Sequence, residues 1–211
     1  MKTRFLTVTM AVVMSVVCLT GCSGSGSFSK ASFISAAKNN GMKAVEDTKE
    51  LTQIAAEPGK TKAMYYDIEN LQIVEYLNTS LTDNMSFLDV EEFVYATESI
   101  GKSDDHDSCL TRVCFVTVKD SKTAEEIYEN AIKPLRFGAE DGKKDGVTYR
   151  ISYQGPKDSQ NDGSTVELAC GVYLKDNQIV WIRSDYQSTL KNSTVEGFCK
   201  SLGLVSPYTL N

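Results

Sequence analysis

The residues best suited to chemistry lie in one short polar segment, Asp104–Cys109. It contains the only histidine of the chain, His106, together with three carboxylates and a cysteine. Imidazole and carboxylate groups are common ligands of zinc and related divalent ions, so Asp104, His106 and Asp107 form a candidate metal site. Adjacent residues rarely point at one ion, however, and a solvated loop between two strands explains the same composition. No other cofactor is indicated.

Other chemical motifs are incomplete. Asn161–Gly163 resembles part of a calcium loop, but Ala169 stands where the bidentate glutamate belongs. Residues 138–146 are predicted to be a charged turn, because they lack the glycine pattern of a phosphate loop. A nucleophilic site of the Ser-His-Asp or Cys-His type would have to use His106, and no Gly-x-Ser-x-Gly motif occurs in the body of the chain. The sequence therefore favours a non-catalytic protein.

The N-terminus has the layout of an export signal. Lys2 and Arg4 precede Phe5–Leu19, an uncharged and mainly apolar run of 15 residues that is too short to span a bilayer as a helix. Leu19-Thr20-Gly21-Cys22 follows. This motif resembles the lipobox of bacterial lipoproteins, in which the chain is cut before the cysteine and the thiol receives long acyl chains such as palmitate. The alternative is an ordinary secretory signal with a coincidental cysteine.

The resemblance implies a division of the chain. Residues 1–21 would be the signal peptide, and residues 22–27 the lipidated Cys22 with a Ser/Gly linker, whose composition is typical of a flexible coil. Residues 28–211 form the folded body, with a candidate sub-unit boundary near 80–90. We expect the protein to be held on the extracytoplasmic face of the cell membrane. The body is similar only to uncharacterised lipoproteins of Gram-positive bacteria, which brings no known activity.

Charge limits the partners of this body. The chain has a formal net charge of −6 and a pI of about 4.9. An acidic surface is repelled by phosphate backbones and by anionic headgroups, which argues against nucleic acid and against electrostatic membrane docking. The expected partners are the membrane, through the lipid anchor, and another envelope protein or a cell-wall component.

Cysteines and aromatic residues each allow two interpretations. Four cysteines follow the anchor, and in an exported protein they are disulfide candidates or small buried apolar residues: Cys109, Cys114, Cys170 and Cys199. Aromatic residues on predicted strands are core residues or, if exposed together, a binding face; the candidates for such a face are Tyr65, Tyr66 and Trp181.

Periodicity and turn signals predict an α+β fold with helices packed on a mainly antiparallel sheet. Predicted helices cover residues 28–40, 48–57, 70–77, 123–135 and 194–202. Predicted strands cover residues 61–68, 90–97, 110–118, 147–153, 165–174 and 178–184. The C-terminal half therefore has the order β-β-α-β-β-β-α. Asp176-Asn177 is predicted to be a two-residue hairpin turn that places Val172 opposite Trp181.

Three functions are compatible with these observations. The first is a membrane-anchored, non-catalytic binding or interaction domain, which the anchor, the linker and the missing catalytic motifs favour. The second is a carboxylate- or metal-dependent hydrolase of the cell envelope. The third is a small solute-binding lipoprotein, for which the body is short if two lobes are required.

Replacing Cys22 with serine removes the thiol that would carry the lipid. Since stable anchoring takes about two acyl chains, we expect the Cys22→Ser variant to lose membrane association. Mass spectrometry of the N-terminal peptide and cell fractionation measure this. Cys18→Ser is the matched control, because Cys18 lies in the predicted signal peptide. An unmodified Cys22 in the wild-type protein would contradict the anchor.

Overall fold

A computed structural model describes much of the body of the chain. The described residues are 28–46, 54–69, 89–103, 109–136, 138–158, 165–187 and 193–210. Several sequence predictions fall outside them: the anchor at Cys22, the cluster Asp104–Asp107 with His106, the helix at 70–77, the motif Asn161–Gly163 and most of the boundary region 80–90.

The described residues form three α-helices and eight strands. The helices are α1 (Lys30–Asn39), α2 (Ser121–Ile132) and α3 (Ser193–Leu202), followed by a 3₁₀ turn at Pro207–Leu210. The strands are β1 (Lys43–Ala44), β2 (Thr61–Asp67), β3 (Val90–Ile100), β4 (Cys109–Val118), β5 (Ala139–Lys144), β6 (Val147–Asp158), β7 (Thr165–Lys175) and β8 (Gln178–Gln187). None of the described helices has the length and apolar character needed to cross a membrane.

All eight strands belong to one sheet with the order β1-β2-β3-β4-β8-β7-β6-β5. Only β1 pairs in parallel, with β2, and all other neighbours are antiparallel. This confirms the predicted α+β class with a mainly antiparallel sheet. The strands β1 and β2 extend the same sheet as the C-terminal strands.

The predicted order of the C-terminal half is wrong by one strand. The segment predicted as a charged turn, residues 138–146, contains β5 and a tight turn at Asp145-Gly146, where φ is 50° and 82°. The error has a physical reason: β5 is an exposed edge strand, so it needs no apolar face and shows no period-two pattern.

The β7–β8 hairpin matches its prediction. Asp176 has a positive φ of 54°, and Val172 pairs with Trp181 as expected. The side chains of both faces are buried, since β8 lies between β4 and β7 in the middle of the sheet. A sheet that is apolar on both sides must be covered on both sides.

Two separate cores cover the two faces. Helices α1 and α3 pack on one face, where Phe33, Phe115, Tyr173 and Phe198 are fully buried. Helix α2 packs on the other face against β4, β7 and β8. Its buried residues meet an apolar set on the sheet: Tyr66, Phe93, Tyr95, Cys114, Val172 and Trp181.

Capping residues set the helix limits. The Ser29 side chain accepts a hydrogen bond from Ser32 N, as expected of an N-cap. At the other end of α1 the Met42 N–H donates to Ala37 O (3.1 Å) and Gly41 has a φ of 74°, which is a Schellman ending. Helix α3 ends in the same way, with Leu204 N donating to Cys199 O (2.8 Å).

Two predicted helices need correction. Helix α2 begins before Thr123, because the Asp120 side chain is its N-cap and accepts from Thr123 N (2.7 Å). The described part of the predicted helix 48–57, residues 54–57, is not helical. It runs beside β3, where Ala56 N donates to Ser99 Oγ (3.0 Å). This hydrogen bond to the neighbouring strand takes the place of a helical hydrogen bond at Ala56.

Phe33 joins α1, α3 and the sheet. Its ring centroid lies 4.9 Å from that of Phe198 and 5.9 Å from that of Phe115. Truncating such a buried ring costs about 3–5 kcal/mol, so we expect Phe33→Ala to lower the free energy of unfolding by that amount. Urea denaturation measures it, with Ile34→Ala as the control because Ile34 is only partly buried. Equal losses in the two variants would contradict this packing.

Candidate anion-binding site

The structure buries the predicted binding aromatics. The exposed fractions are 7% for Tyr65, 8% for Tyr66 and 8% for Trp181. Tyr65 belongs to the core under α1 and α3, whereas Tyr66 and Trp181 belong to the core under α2. These three residues therefore share no exposed face, and their aromatic rings pack in the interior.

The four body cysteines are all buried with free thiols. Cys109 and Cys114 lie on β4, Cys170 on β7 and Cys199 on α3. All four count among the buried residues of the body. Burial raises the pKa of both the Cys170 and Cys199 thiols to about 12. A thiol of that kind is protonated at neutral pH and is a poor nucleophile.

An open groove of about 570 Å³ lies between α1 and the β1–β2 edge. Tyr65 and Tyr66 line it together with Lys38, Asp67 and other residues. Asp67 Oδ1 forms an ion pair with Lys30 Nζ (2.9 Å), which partly neutralises the acidic side of the groove. The groove is polar and open, and its described lining shows no converging set of functional groups.

The most unusual arrangement of charge lies on the α2 face of the sheet, on the central strands. Arg112 on β4 and Arg183 on β8 are directly opposite each other in the ladder. They occupy the same face as Cys114 and Trp181, two residues further along each strand. Like charges directly opposite on neighbouring strands destabilise a sheet. This pair therefore works against folding where it stands.

The two guanidinium groups are not neutralised equally. Arg183 Nε donates to Asp185 Oδ2 at 3.3 Å, and these two side chains are 40% and 38% exposed. Arg112 has no carboxylate within ion-pair distance among the described residues, and its Nε atom is buried without a hydrogen-bond partner. A buried donor left without a partner costs about 1–3 kcal/mol. The Arg112 side chain is half-buried, and within the described part of the chain its Nε donor is not satisfied.

Neighbouring side chains define the surroundings of the pair. Cys170 of β7 is opposite Arg183. Burial raises the pKa of the Cys170 thiol, and the two guanidinium groups act in the opposite direction. On the other side, Thr97 of β3 is opposite Arg112, and its hydroxyl donates to Thr111 O (3.1 Å). The arginines are therefore set between one small thiol and one hydroxyl that already has a partner.

The remaining sequence candidates do not enter this site. Among the described residues no group of three or more His, Cys, Asp or Glu side chains is arranged to hold a metal ion. The candidate metal residues Asp104, His106 and Asp107 lie outside the described ranges. The described strands form one continuous sheet.

Comparison with known proteins gives little. No protein family matches the sequence. No curated protein matches it either. A solved structure with some similarity is the extracellular domain of PknH from Mycobacterium tuberculosis, with 10% sequence identity and a TM-score of 0.32 over 85% of this chain and 97% of that chain. A likeness of this extent carries no functional argument.

Sequence reasoning missed both arginines. A signal existed, because each is the one charged residue in a mainly apolar segment: Leu110–Val118 and Ile179–Ser184. The hairpin register placed Arg183 opposite Cys170. The pairing of β4 with β8 joins segments about 70 positions apart, however, and no local pattern predicts which residues then meet.

Replacing Arg112 with methionine tests whether this cation is strained. Methionine keeps an apolar stem of similar length and removes the unpaired donor and the repulsion. We therefore expect Arg112→Met to raise the free energy of unfolding, by about 1–3 kcal/mol. Urea denaturation gives the value.

Arg150→Met is the matched control on β6. Arg150 Nε and Nη2 donate to the two carboxylate oxygens of Asp141, both at 2.6 Å. Losing this ion pair on the protein surface should lower stability by about 0.2–1 kcal/mol. A loss in Arg112→Met as large as that in Arg150→Met would show that Arg112 is satisfied.

Proposed function

We propose that the protein is a lipid-anchored, extracytoplasmic binding domain, and that Arg112 and Arg183 hold an oxyanion of its ligand. The observation that carries the proposal is the direct opposition of two arginines, one of them with a buried Nε that has no partner. Local violations of the folding rules are expected at functional sites, because the missing partner is then supplied by the ligand.

The chemistry of the pair indicates the class of ligand. A guanidinium group presents its donors in a rigid fork that matches carboxylate and phosphate groups. An oxyanion between Arg112 and Arg183 would remove their repulsion and satisfy the free donor. The half-exposed side chain of Arg183 gives such a group access from solvent. The ligand is therefore one that carries a carboxylate or a phosphate.

The same surroundings favour binding over catalysis. Cys170 is the nucleophilic residue type nearest in register to Arg183, and burial keeps its thiol protonated. Asp185 is engaged with Arg183, so its carboxylate serves to orient a cation. The described residues around the pair thus provide a charged platform and lack an activated nucleophile.

The N-terminal sequence supports an extracytoplasmic location for the proposed ligand binding. Lys2, Arg4, the apolar run and the lipobox-like Leu19-Thr20-Gly21-Cys22 agree in charge, length and motif. A ligand with carboxylates or phosphates is also compatible with an envelope partner, either a protein or a cell-wall component. The acidic body repels polyanions in general, so recognition has to be local, at the arginine pair.

Two small anions, glutarate and inorganic phosphate, are suitable probes of the site. We expect one of them to shift the Arg side-chain and neighbouring backbone NMR signals of Arg112 and Arg183, with a Kd near 1 mM or below, which corresponds to about −4 kcal/mol. Comparison of the two probes distinguishes a carboxylate from a phosphate ligand.

The variants Arg112→Gln and Arg183→Gln should each abolish these shifts, because each removes half of the cationic pair. Arg150→Gln is the control of equal charge change and should retain them, since Arg150 lies on β6 with Asp141 as its partner. Absence of any shift, or an equal loss in the control, would contradict the proposed site.

A further inference from the structure

Among the described residues, β5 forms one edge of the sheet and has no strand on its outer side. Strand β5 has six residues, pairs only with β6 and is the last strand in the sheet order. All residues of β5 are exposed except Gly142, which is half-buried. The opposite edge is β1, which has only two residues. A long edge strand presents a row of unpaired N–H and C=O groups to a further strand.

The charges on β5 change sign at its centre. Glu140 and Asp141 precede Gly142, and Lys143 and Lys144 follow it. Two copies of this strand, placed antiparallel with Gly142 opposite Gly142, bring Glu140 opposite Lys144 and Asp141 opposite Lys143. The two-fold symmetry repeats each pair. Opposite charges directly across an antiparallel ladder stabilise it.

Other registers are less favourable. A shift by two residues in either direction keeps the faces of the sheet but places Asp141 opposite Asp141 or Lys143 opposite Lys143. A shift by one residue would join the upper face of one copy's sheet to the lower face of the other copy's sheet. The charge order therefore selects one self-complementary register.

The described neighbours of β5 are on β6, the strand on its inner side. A Cβ atom at Gly142 would lie 2.3 Å from ring atoms of Tyr149, so the tyrosine on β6 covers the glycine from within the same chain. Asp141 accepts from Arg150 but its side chain remains 60% exposed. Neither neighbour occupies the outer side of the strand.

We infer that β5 is a docking edge for a second copy of this chain, which forms a two-fold dimer with a continuous sheet across the interface. Such an interface is isologous, because the same strand serves on both sides. The inference goes beyond the proposed ligand binding and is independent of it, since Arg112 and Arg183 lie on the central strands β4 and β8.

Paired cysteines test the register. In the Glu140→Cys/Lys144→Cys variant, each introduced thiol faces its counterpart in the second copy. Within one copy the two positions are about 13 Å apart along the strand, which is too far for a disulfide. The full chain, expressed in bacterial cells and treated with a mild oxidant, should therefore give a dimer that reducing agent dissolves. The native body cysteines are buried and should not interfere.

The single variants Glu140→Cys and Lys144→Cys are the controls. In the proposed register each introduced cysteine faces a native residue, so neither should crosslink. No dimer from the double variant, or equal dimer from either single variant, would overturn the inference. Crosslinking should persist in a background with Arg112→Gln, which separates its outcome from that of ligand binding.

Charge reversal provides a second measurement. Glu140→Lys alone places two lysines opposite each other, and Lys144→Glu alone places two glutamates opposite each other. We expect each variant to lose self-association, and a mixture of the two to recover it, as measured by co-purification of differently tagged full chains. Association of either variant with itself at the wild-type level would contradict the proposed interface.

Discussion

The fold depends on covering a sheet whose central strands are apolar on both faces. Residues Tyr173, Val180 and Ile182 point to one side, and Val172, Ile179 and Trp181 point to the other. Burying apolar surface contributes roughly 25 cal/mol per Å², so neither side can be left open to water. Helices α1 and α3 meet this requirement on one face, and α2 meets it on the other.

The arginine pair lies just beyond the apolar core under α2. Helix α2 has 12 residues, or about 18 Å, whereas β8 with 10 residues extends for about 33 Å. The buried positions Cys114 and Trp181 belong to the core under α2, while Arg112 and Arg183 stand one step further along the same face. Both arginines are only half-buried there, so the candidate site lies at the margin of this core and not within it.

Local signals predicted the local parts of this structure. The Asp176-Asn177 turn depends on a few neighbouring residues, and the structure contains it with Val172 opposite Trp181. The α+β class was also predicted, because apolar residues recur with a different period in strands and in helices. Strand β5 was missed because an exposed edge strand has no burial pattern to detect.

The site was harder to predict than the fold for a related reason. Chemistry-bearing residues in the sequence drew attention to His106 and to the cysteines, but a cluster along the chain is not a cluster in space. The opposition of Arg112 and Arg183 depends on the pairing of β4 with β8. Such non-local pairing is fixed by the whole sheet, and one sequence holds no direct record of it.

If Cys22 carries a lipid, the position of Phe28 limits how far the body can move from a membrane. Phe28 is 7% exposed, and its ring centroid lies 6.3 Å from that of Phe115 on β4. The first described residue is therefore already fixed to the centre of the sheet. If Cys22 carries the lipid, the intervening residues reach at most about 20 Å when fully extended. The body would then stay next to the bilayer with the start of α1 facing it, and its orientation would be restricted because the tether is short.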